Sequence, residues 1–273
     1  MPFAQASPQV LAILSTLIEE KTGMHYAPSD FDILRDKITP KAEERGCDSL
    51  LDYYYLLRYD DPSGREMDEL IDVLVVPETY FFREFEAIKL VVRGFVEPLL
   101  ATGVRPRIWC AASATGEEPL TLAMVLDDLG VLGRVEIIAS DMSARVLGRA
   151  KAGEFASRSV RHVPVPELAA RYLDTSGRIP RVKPELLAAI RWERVNLVVE
   201  PQVTELGAFD VVLCRNVLIY FKDETALRVI ATIRKVLRPG GVLFVGASES
   251  LLRLGTLFVC EERSGTFFYR PGP

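Results

Sequence analysis

The sequence predicts an α/β fold: a mostly parallel sheet with crossover helices and an antiparallel C-terminal hairpin, a small inserted β lobe, and a small all-α domain in front. Three observations carry this prediction. From Arg107 onward, apolar runs of strand length alternate with amphipathic helical segments, as a parallel sheet requires, because each parallel connection needs a crossover. Before Val76, apolar residues recur at helical spacing instead. After Leu257, two β-rich runs flank Arg263-Ser264-Gly265, which fits a hairpin.

In chain order, Val10, Leu11, Leu14, Leu17 and Ile18 define a helix that Thr22-Gly23 stops. A second helical segment sets Phe31, Leu34 and Ile38 on one face and Arg35, Lys37, Lys41 and Arg45 on the other. Helices follow from Ser49 to Tyr59 and from Glu66 to Val75, with breaks at Pro28, Gly46 and Pro62-Ser63-Gly64. These make a helical domain over residues 1–76, and residues 77–106 form a linker and connecting helix. In the remainder, 107–273, strands are expected at Arg107–Ala111, Val135–Ser140, Ile190–Glu193, Asp210–Cys214 and Gly241–Val245. Helices are expected at Glu117–Leu129, Ala144–Lys151 and Asp223–Leu237, the last ended by the stop and turn Arg238-Pro239-Gly240-Gly241. Between residues 153 and 185 the pattern weakens around Pro164, Pro166, Pro180 and Pro184. That stretch is longer than an ordinary connection and reads as an inserted lobe.

Composition bounds the function. At 273 residues, 49% hydrophobic and 26% charged, the chain can bury a sizeable core. A net charge of -5 speaks against a general nucleic-acid binder. Cys47, Cys110, Cys214 and Cys260 lie far apart without a C-x-x-C pair, so reduced thiols are expected rather than zinc ligands or disulfides. His25 and His162 show no metal-ligand spacing, and with two histidines a catalytic triad is not indicated. No signal peptide is visible, and no run approaches the ~20 apolar residues that span a bilayer. A cytoplasmic protein without membrane insertion or bound metal is expected, and nothing demands more than a monomer.

Four places carry chemistry. In Ile108-Trp109-Cys110-Ala111-Ala112-Ser113-Ala114-Thr115-Gly116-Glu117-Glu118-Pro119, a strand enters a loop of small residues and then a helix N-terminus. Small side chains let a ligand approach the backbone. The absence of G-x-G-x-x-G and the presence of two carboxylates disfavour a pyrophosphate and suit an ammonium group, although Glu117 and Glu118 would equally complement the helix dipole. Asp141, in Ile137-Ile138-Ala139-Ser140-Asp141-Met142-Ser143, stands where such folds hold ribose hydroxyls. Asp141 or Ser143 could also cap the next helix. Asn196-Leu197 suits the edge and face of an adenine. Finally, the apolar strand ending in Cys214-Arg215-Asn216 places polar groups at the carboxyl edge of the sheet, with the apolar run Val217 to Phe221 resuming directly after.

Together these strings resemble the CheR family, the chemotaxis-receptor protein-glutamate O-methyltransferases. The resemblance covers nearly the whole chain. It is most specific in Glu78-Thr79-Tyr80-Phe81-Phe82-Arg83-Glu84, Thr115-Gly116-Glu117-Glu118-Pro119, Cys214-Arg215-Asn216-Val217-Leu218-Ile219-Tyr220-Phe221 and Gly246-Ala247-Ser248-Glu249-Ser250-Leu251. It implies a Rossmann-like class I methyltransferase sheet, for which an antiparallel C-terminal hairpin is the usual finish. It also implies S-adenosylmethionine as methyl donor, S-adenosylhomocysteine as product, and the cytoplasmic helical region of chemotaxis receptors as partner. Thr79, Arg83, Ala111, Glu117, Asp141, Asn196, Leu197, Arg215 and Asn216 are the implied cofactor contacts. Arg83 and Tyr220 are expected to orient or shield the reacting groups, and Tyr80, Phe81 and Phe82 to pack between domains. The basic face of Arg35, Lys37, Lys41 and Arg45 is either a solvated surface or the docking face toward acidic receptor helices. Two departures stand out: Pro77 replaces an asparagine that touches the cofactor in many relatives, and Ala247 replaces a histidine. A non-catalytic cofactor- or receptor-binding module of the same fold is the alternative reading.

Overall fold

The computed structural model describes residues 7–272. They form two units, one reaching Val76 and including Tyr220–Ala226, the other spanning Pro77–Ile219 and continuing from Leu227.

The first unit is helical: α1 (Pro8–Thr22), α2 (Phe31–Glu44), α3 (Leu50–Tyr59) and α4 (Arg65–Leu74). The ends have local causes. The Ser7 hydroxyl accepts the Val10 N–H, Pro8 opens the first turn, and Gly23 closes the helix in the left-handed region at φ 79°. Ser49 caps α3 in the same way, accepting from Asp52. Leu14, Ile18, Leu34, Ile38, Tyr53 and Leu70 fill the interior. Met24 forms an antiparallel bridge with Phe221, and the His25 N–H donates to the Tyr220 carbonyl at 2.9 Å.

The basic face of α2 does not present free cations. Lys41 is 8% exposed and pairs with Glu44 at 2.8 Å and Glu69 at 2.9 Å. Arg45 binds Glu66 and Glu69, Lys37 donates to the Leu74 carbonyl at 2.8 Å, and Arg35 pairs with Asp32 and Asp36. The buried Glu66 needs the Arg45 donor, and the Tyr53 hydroxyl supplies another at 2.6 Å. For Lys41 and Arg45 an apolar/polar wheel could not reveal this, because Glu66 and Glu69 lie on α4.

The second unit opens with α5 (Phe85–Val91), which passes through a π-helical stretch, Val92–Val96, into α6 (Glu97–Ala101). Pro98 near the start of α6 lacks an N–H, which accounts for the widened turn before it. Then come β1 (Arg107–Ala111), α7 (Glu117–Asp128), β2 (Glu136–Asp141) and α8 (Ala144–Ala152). The inserted lobe contains α9 (Pro166–Tyr172), the two-residue strands β3 (Leu173–Asp174) and β4 (Arg181–Val182), and α10 (Pro184–Ala188), so short helices make up more of it than strands do. β5 (Ile190–Arg194), α11 (Glu200–Thr204), β6 (Phe209–Cys214), α12 (Asp223–Val236), β7 (Leu237–Phe244), β8 (Phe258–Arg263) and β9 (Thr266–Pro271) complete the chain.

The seven-stranded sheet has the order β5-β2-β1-β6-β7-β9-β8, with β1, β2, β5, β6 and β7 parallel and β9 and β8 antiparallel. β1 and β6 are buried over nearly their whole length, and their sequences read as continuous apolar runs for that reason. Arg238–Gly241, expected as a turn before the strand, lies inside it. β6 and β7 pair at Phe209 with Leu237, then shift register to Val211 with Val242. The intervening residues bulge outward, and Arg238 pairs with Asp210 at 2.8 Å. Ser264 and Gly265, at φ 53° and 75°, form a two-residue hairpin turn that matches strand twist. Phe81 and Phe82 are buried in this unit's own core, against Phe155 and Phe85. Among the described residues no helix is long and apolar enough to cross a membrane, and no group of three or more His, Cys, Asp or Glu could hold a metal.

Candidate active site

Strand order reverses between β1 and β6: β2 and β5 extend to one side, β7, β9 and β8 to the other. Loops leaving two such strands diverge to opposite faces and open a crevice at the carboxyl edge. Ala111 and Cys214, the last residues of β1 and β6, are register partners. Residues 112–116 and 215–217 therefore leave the sheet side by side.

The first of these loops is tightly bent. Ala112 and Ala114 take positive φ of 52° and 47°, each at a cost of about 1–2 kcal/mol for a residue with a β-carbon. The bend is held by the Ser113 N–H donating to the Ser140 carbonyl at 2.8 Å and the Ala114 N–H donating to Asp141 Oδ2 at 3.0 Å. Gly116 has φ 92°, and a β-carbon there would lie 2.7 Å from Trp192. Only glycine fits.

The two glutamates at the start of α7 have different surroundings. Glu118 accepts Arg215 Nη1 at 2.6 Å, while Arg215 Nη2 reaches Glu84 at 2.9 Å and the Arg83 carbonyl at 3.3 Å. The Arg215 side chain is 1% exposed. Burial alone would lower its pKa, but Glu118 and Glu84 outweigh that and hold the cation. Burial raises the Glu118 carboxyl despite Arg215. Glu117, also 1% exposed, receives hydroxyls: Thr115 on Oε2 and Ser159 on Oε1, both at 2.7 Å. Burial raises its pKa above the ordinary glutamate value. Of the pair, Glu117 has no direct ion-pair partner among the described residues and suits an ammonium ligand; Glu118 is committed to Arg215.

Arg83 is carried by a segment anchored on α7 and on the inserted lobe. The Phe81 N–H donates to the Ser159 carbonyl at 2.9 Å and the Phe82 N–H to Thr121 Oγ1 at 3.1 Å. Phe82 and Glu84 flank Arg83 with positive φ of 63° and 47°. Arg83 Nη2 donates to Asn216 Oδ1 at 2.8 Å and Nη1 to the Glu78 carbonyl at 3.0 Å. Thr79, in the same segment, is half-buried. Asn216 is left-handed at φ 61°, and its N–H donates to Glu249 Oε2 at 2.6 Å.

Asp141 ends β2, its two oxygens accepting the Ala114 and Ser143 N–H groups at 3.0 Å each. A carboxylate has about four lone-pair sites, the acceptor chemistry that a diol requires. The helix cap falls to Ser143, whose hydroxyl accepts the Val146 N–H at 3.2 Å. Asn196 folds a tight turn, accepting the Val198 N–H at 3.2 Å, and Leu197 is buried beside it.

The structure thus joins Arg83, Glu118, Arg215 and Asn216 by direct bonds, and ties Asp141 to the loop that follows Ala111. Tyr220 folds with the helical unit, where its carbonyl takes the His25 N–H. Sequence reasoning gave no roles to Glu84, Ser159 or Glu249. Glu84 and Glu249 sit inside motif strings already singled out, whereas Ser159 lies in the lobe and carried no signal. Two buried polar atoms on the adjoining loops, Ser113 Oγ and Arg215 Nε, have no hydrogen-bond partner. Native proteins rarely leave such atoms unpaired, so they mark places where a polar ligand would be welcome. A buried carboxylate bonded by hydroxyls, an arginine and a strand-end aspartate together suit a ligand bearing an ammonium, a carboxylate and a diol, as S-adenosylmethionine does.

Comparison with known proteins agrees. Residues 77–265 match the family model described as "CheR methyltransferase, SAM binding domain", and residues 10–75 match "CheR methyltransferase, all-alpha domain". Chemotaxis protein methyltransferase 2 of Vibrio cholerae is 33% identical over 258 residues, covering 92% of this chain and 89% of that protein. Chemotaxis protein methyltransferase 1 of Pseudomonas aeruginosa is 31% identical over 94% of this chain and 96% of its own length. The chemotaxis protein methyltransferase of Escherichia coli K12 is 31% identical over 92% of this chain and 87% of its own length. With both matches spanning most of its length, the chain belongs to the CheR methyltransferase family.

Proposed function

We propose that this protein transfers the methyl group of S-adenosylmethionine to glutamate side chains of chemotaxis receptors, yielding glutamate methyl esters and S-adenosylhomocysteine. The observation that carries the reading is the convergence of Arg83, Glu117, Asp141, Arg215 and Asn216 at the carboxyl edge where β1 meets β6. The relatives' names, chemotaxis protein methyltransferases, support methyl transfer in chemotaxis.

The bound cofactor supplies an electrophilic methyl group. The chain's own residues bind and orient. Glu117 receives the ammonium, Arg83 the carboxylate, Asp141 the ribose hydroxyls, and Asn196 and Leu197 the adenine edge and face. Arg215, clamped by Glu118 and Glu84, acts as a fixed post that holds the Arg83–Glu84 backbone. A receptor carboxylate with pKa near ~4.3 is ionised at neutral pH, so the transfer needs no general base. Arg83 and Tyr220 align it with the methyl group, and alignment with exclusion of water supplies most of the rate. Thr79 and the backbone at Ala111 are further contacts to the cofactor, and no metal takes part. The protein acts in the cytoplasm as a monomer.

Electrostatic steering toward acidic receptor helices is not a property of the first 76 residues, which carry 15 Asp and Glu against 7 Lys and Arg. Residues 77–273 carry 26 Lys and Arg against 23 Asp and Glu, and steering falls to them.

Isothermal titration with S-adenosylmethionine, S-adenosylhomocysteine and NAD tests the site, followed by methyl transfer to receptor cytoplasmic fragments with base-labile label marking the ester. Binding of both adenosyl ligands without NAD, and label on glutamates, supports the proposal. No binding of either adenosyl ligand would sink it and point to a disabled site around Pro77.

A further inference from the structure

Glu249 lies in the loop after β7, is 6% exposed, and has no part in the function argued so far. Its carboxylate gathers backbone from two loops. Oε2 accepts the Asn216 N–H at 2.6 Å and the Gly246 N–H at 2.8 Å, and Oε1 accepts the Ile219 N–H at 3.3 Å. Its own N–H donates to the Gly246 carbonyl at 2.8 Å, which closes the loop on itself. Among the described residues, its carboxylate is bonded by backbone N–H donors.

The consequence runs through Asn216. A left-handed residue with a β-carbon is held there by its surroundings rather than by its own preference. Here the short bond from its N–H to Glu249 does the holding, and the side chain so placed receives Arg83 Nη2 at 2.8 Å. The packing leaves no slack. A β-carbon on Gly246 would sit 2.8 Å from Glu249 Oε2 and 2.9 Å from Asn216 Oδ1. The same carboxylate also holds the Ile219 end of this turn, so both ends of residues 216–219 share one acceptor.

We infer that Glu249 is a positioning residue of the cofactor site: it sets Asn216, and through Asn216 the guanidinium of Arg83. The inference rests on the reading of Arg83 and Asn216 as cofactor contacts. Removing the carboxylate orphans two short-bonded N–H groups and frees Asn216 to relax to negative φ, which moves Oδ1 away from Arg83.

The test is titration of full-length variants with S-adenosylhomocysteine, with a thermal melt of each and methyl-transfer kinetics alongside. Glu249→Ala should weaken binding by about 10-fold or more, equivalent to about 1.4 kcal/mol. Glu249→Gln should stay within about 3-fold, because a flipped amide oxygen still accepts the two short bonds while its NH2 faces the longer Ile219 contact. Asn216→Gly adopts positive φ without strain, and on that background Glu249→Ala should add less than about 3-fold, the non-additivity of residues acting in series. If Glu249→Ala does not fold, Glu249→Asp takes its place: it keeps the charge but falls one methylene short, and binding should weaken at least 3-fold, roughly. A lowered melting temperature with wild-type affinity and turnover in the folded variants would overturn the inference, leaving Glu249 a loop staple. Absence of S-adenosylhomocysteine binding by the wild type would instead reject the cofactor-site reading itself, and the inference with it.

Discussion

Replacing Arg215 by methionine isolates the buried ion triad. The cation is 1% exposed and sits 2.6 Å from Glu118 and 2.9 Å from Glu84, so the substitution takes from both carboxylates their direct ion-pair partner. Removing one member of a buried charge network costs about 3–5 kcal/mol, against about 0–1 for a surface pair. Both tryptophans, Trp109 and Trp192, belong to the second unit, so their fluorescence during urea unfolding reports on this unit. With a urea slope of about 2 kcal/mol/M, the midpoint at pH 8 should fall by about 2 M. The pH dependence has a defined sign. Burial already raises the Glu118 pKa, and losing Arg215, which pulls it down, raises it further. A carboxyl whose folded pKa lies above its unfolded value destabilises the fold at pH above the folded pKa, and the penalty shrinks as pH falls toward the unfolded value. The deficit against wild type should therefore be largest at pH 8 and smaller near pH 5.5. Changing Glu118 and Glu84 to Gln in the same variant should restore most of the loss. A deficit below about 1 kcal/mol, or one that does not change with pH, would refute this account of the triad.

Gly116→Ala combines a φ of 92° with a β-carbon 2.7 Å from Trp192, and should cost about 2–5 kcal/mol, read as a lower urea midpoint. Tyr53→Phe removes the donor 2.6 Å from the buried Glu66, and the helical unit should lose about 1–3 kcal/mol in a melt followed by circular dichroism. Glu117→Gln keeps the Thr115 and Ser159 hydroxyls as partners, so its melt should match wild type while S-adenosylhomocysteine binding weakens at least about 10-fold. Because burial raises the Glu117 pKa, wild-type affinity should fall on acidification from neutral pH earlier than an ordinary glutamate would dictate; titrations at stepped pH check this, with the Gln variant as the flat control.

Much of the framework was legible because its causes are local. The helix α1 ends at Gly23 since only a left-handed residue closes it there, and Ser49 and Ser143 announce α3 and α8 by satisfying their first free N–H groups. The apolar runs of β1 and β6 identified central parallel strands, because strands covered on both faces cannot afford polar residues. Arg238–Gly241 misled for a related reason: Pro-Gly-Gly marks a break in regular backbone, and a strand bulge against β6 satisfies the same residues as a turn does.

For the site, the sequence by itself determined which residue types stand at the carboxyl ends of β1, β2 and β6, since strand length and loop position follow from hydrophobic pattern. Pairing was decided by the tertiary structure. Glu117 and Glu118 are neighbours that the sequence cannot tell apart; a helix turns them by about 100°, so one meets Arg215 and the other meets Ser159 from the inserted lobe. The cations of α2 looked like a surface until Glu66 and Glu69 on α4 packed against them. Glu249 was visible as a letter in a motif, but its acceptors span 33 and 30 residues of sequence to Asn216 and Ile219. Hydrophobic periodicity records the side on which a residue is buried. It does not record which distant charge or N–H shares that burial, and that partner sets the electrostatics of the site.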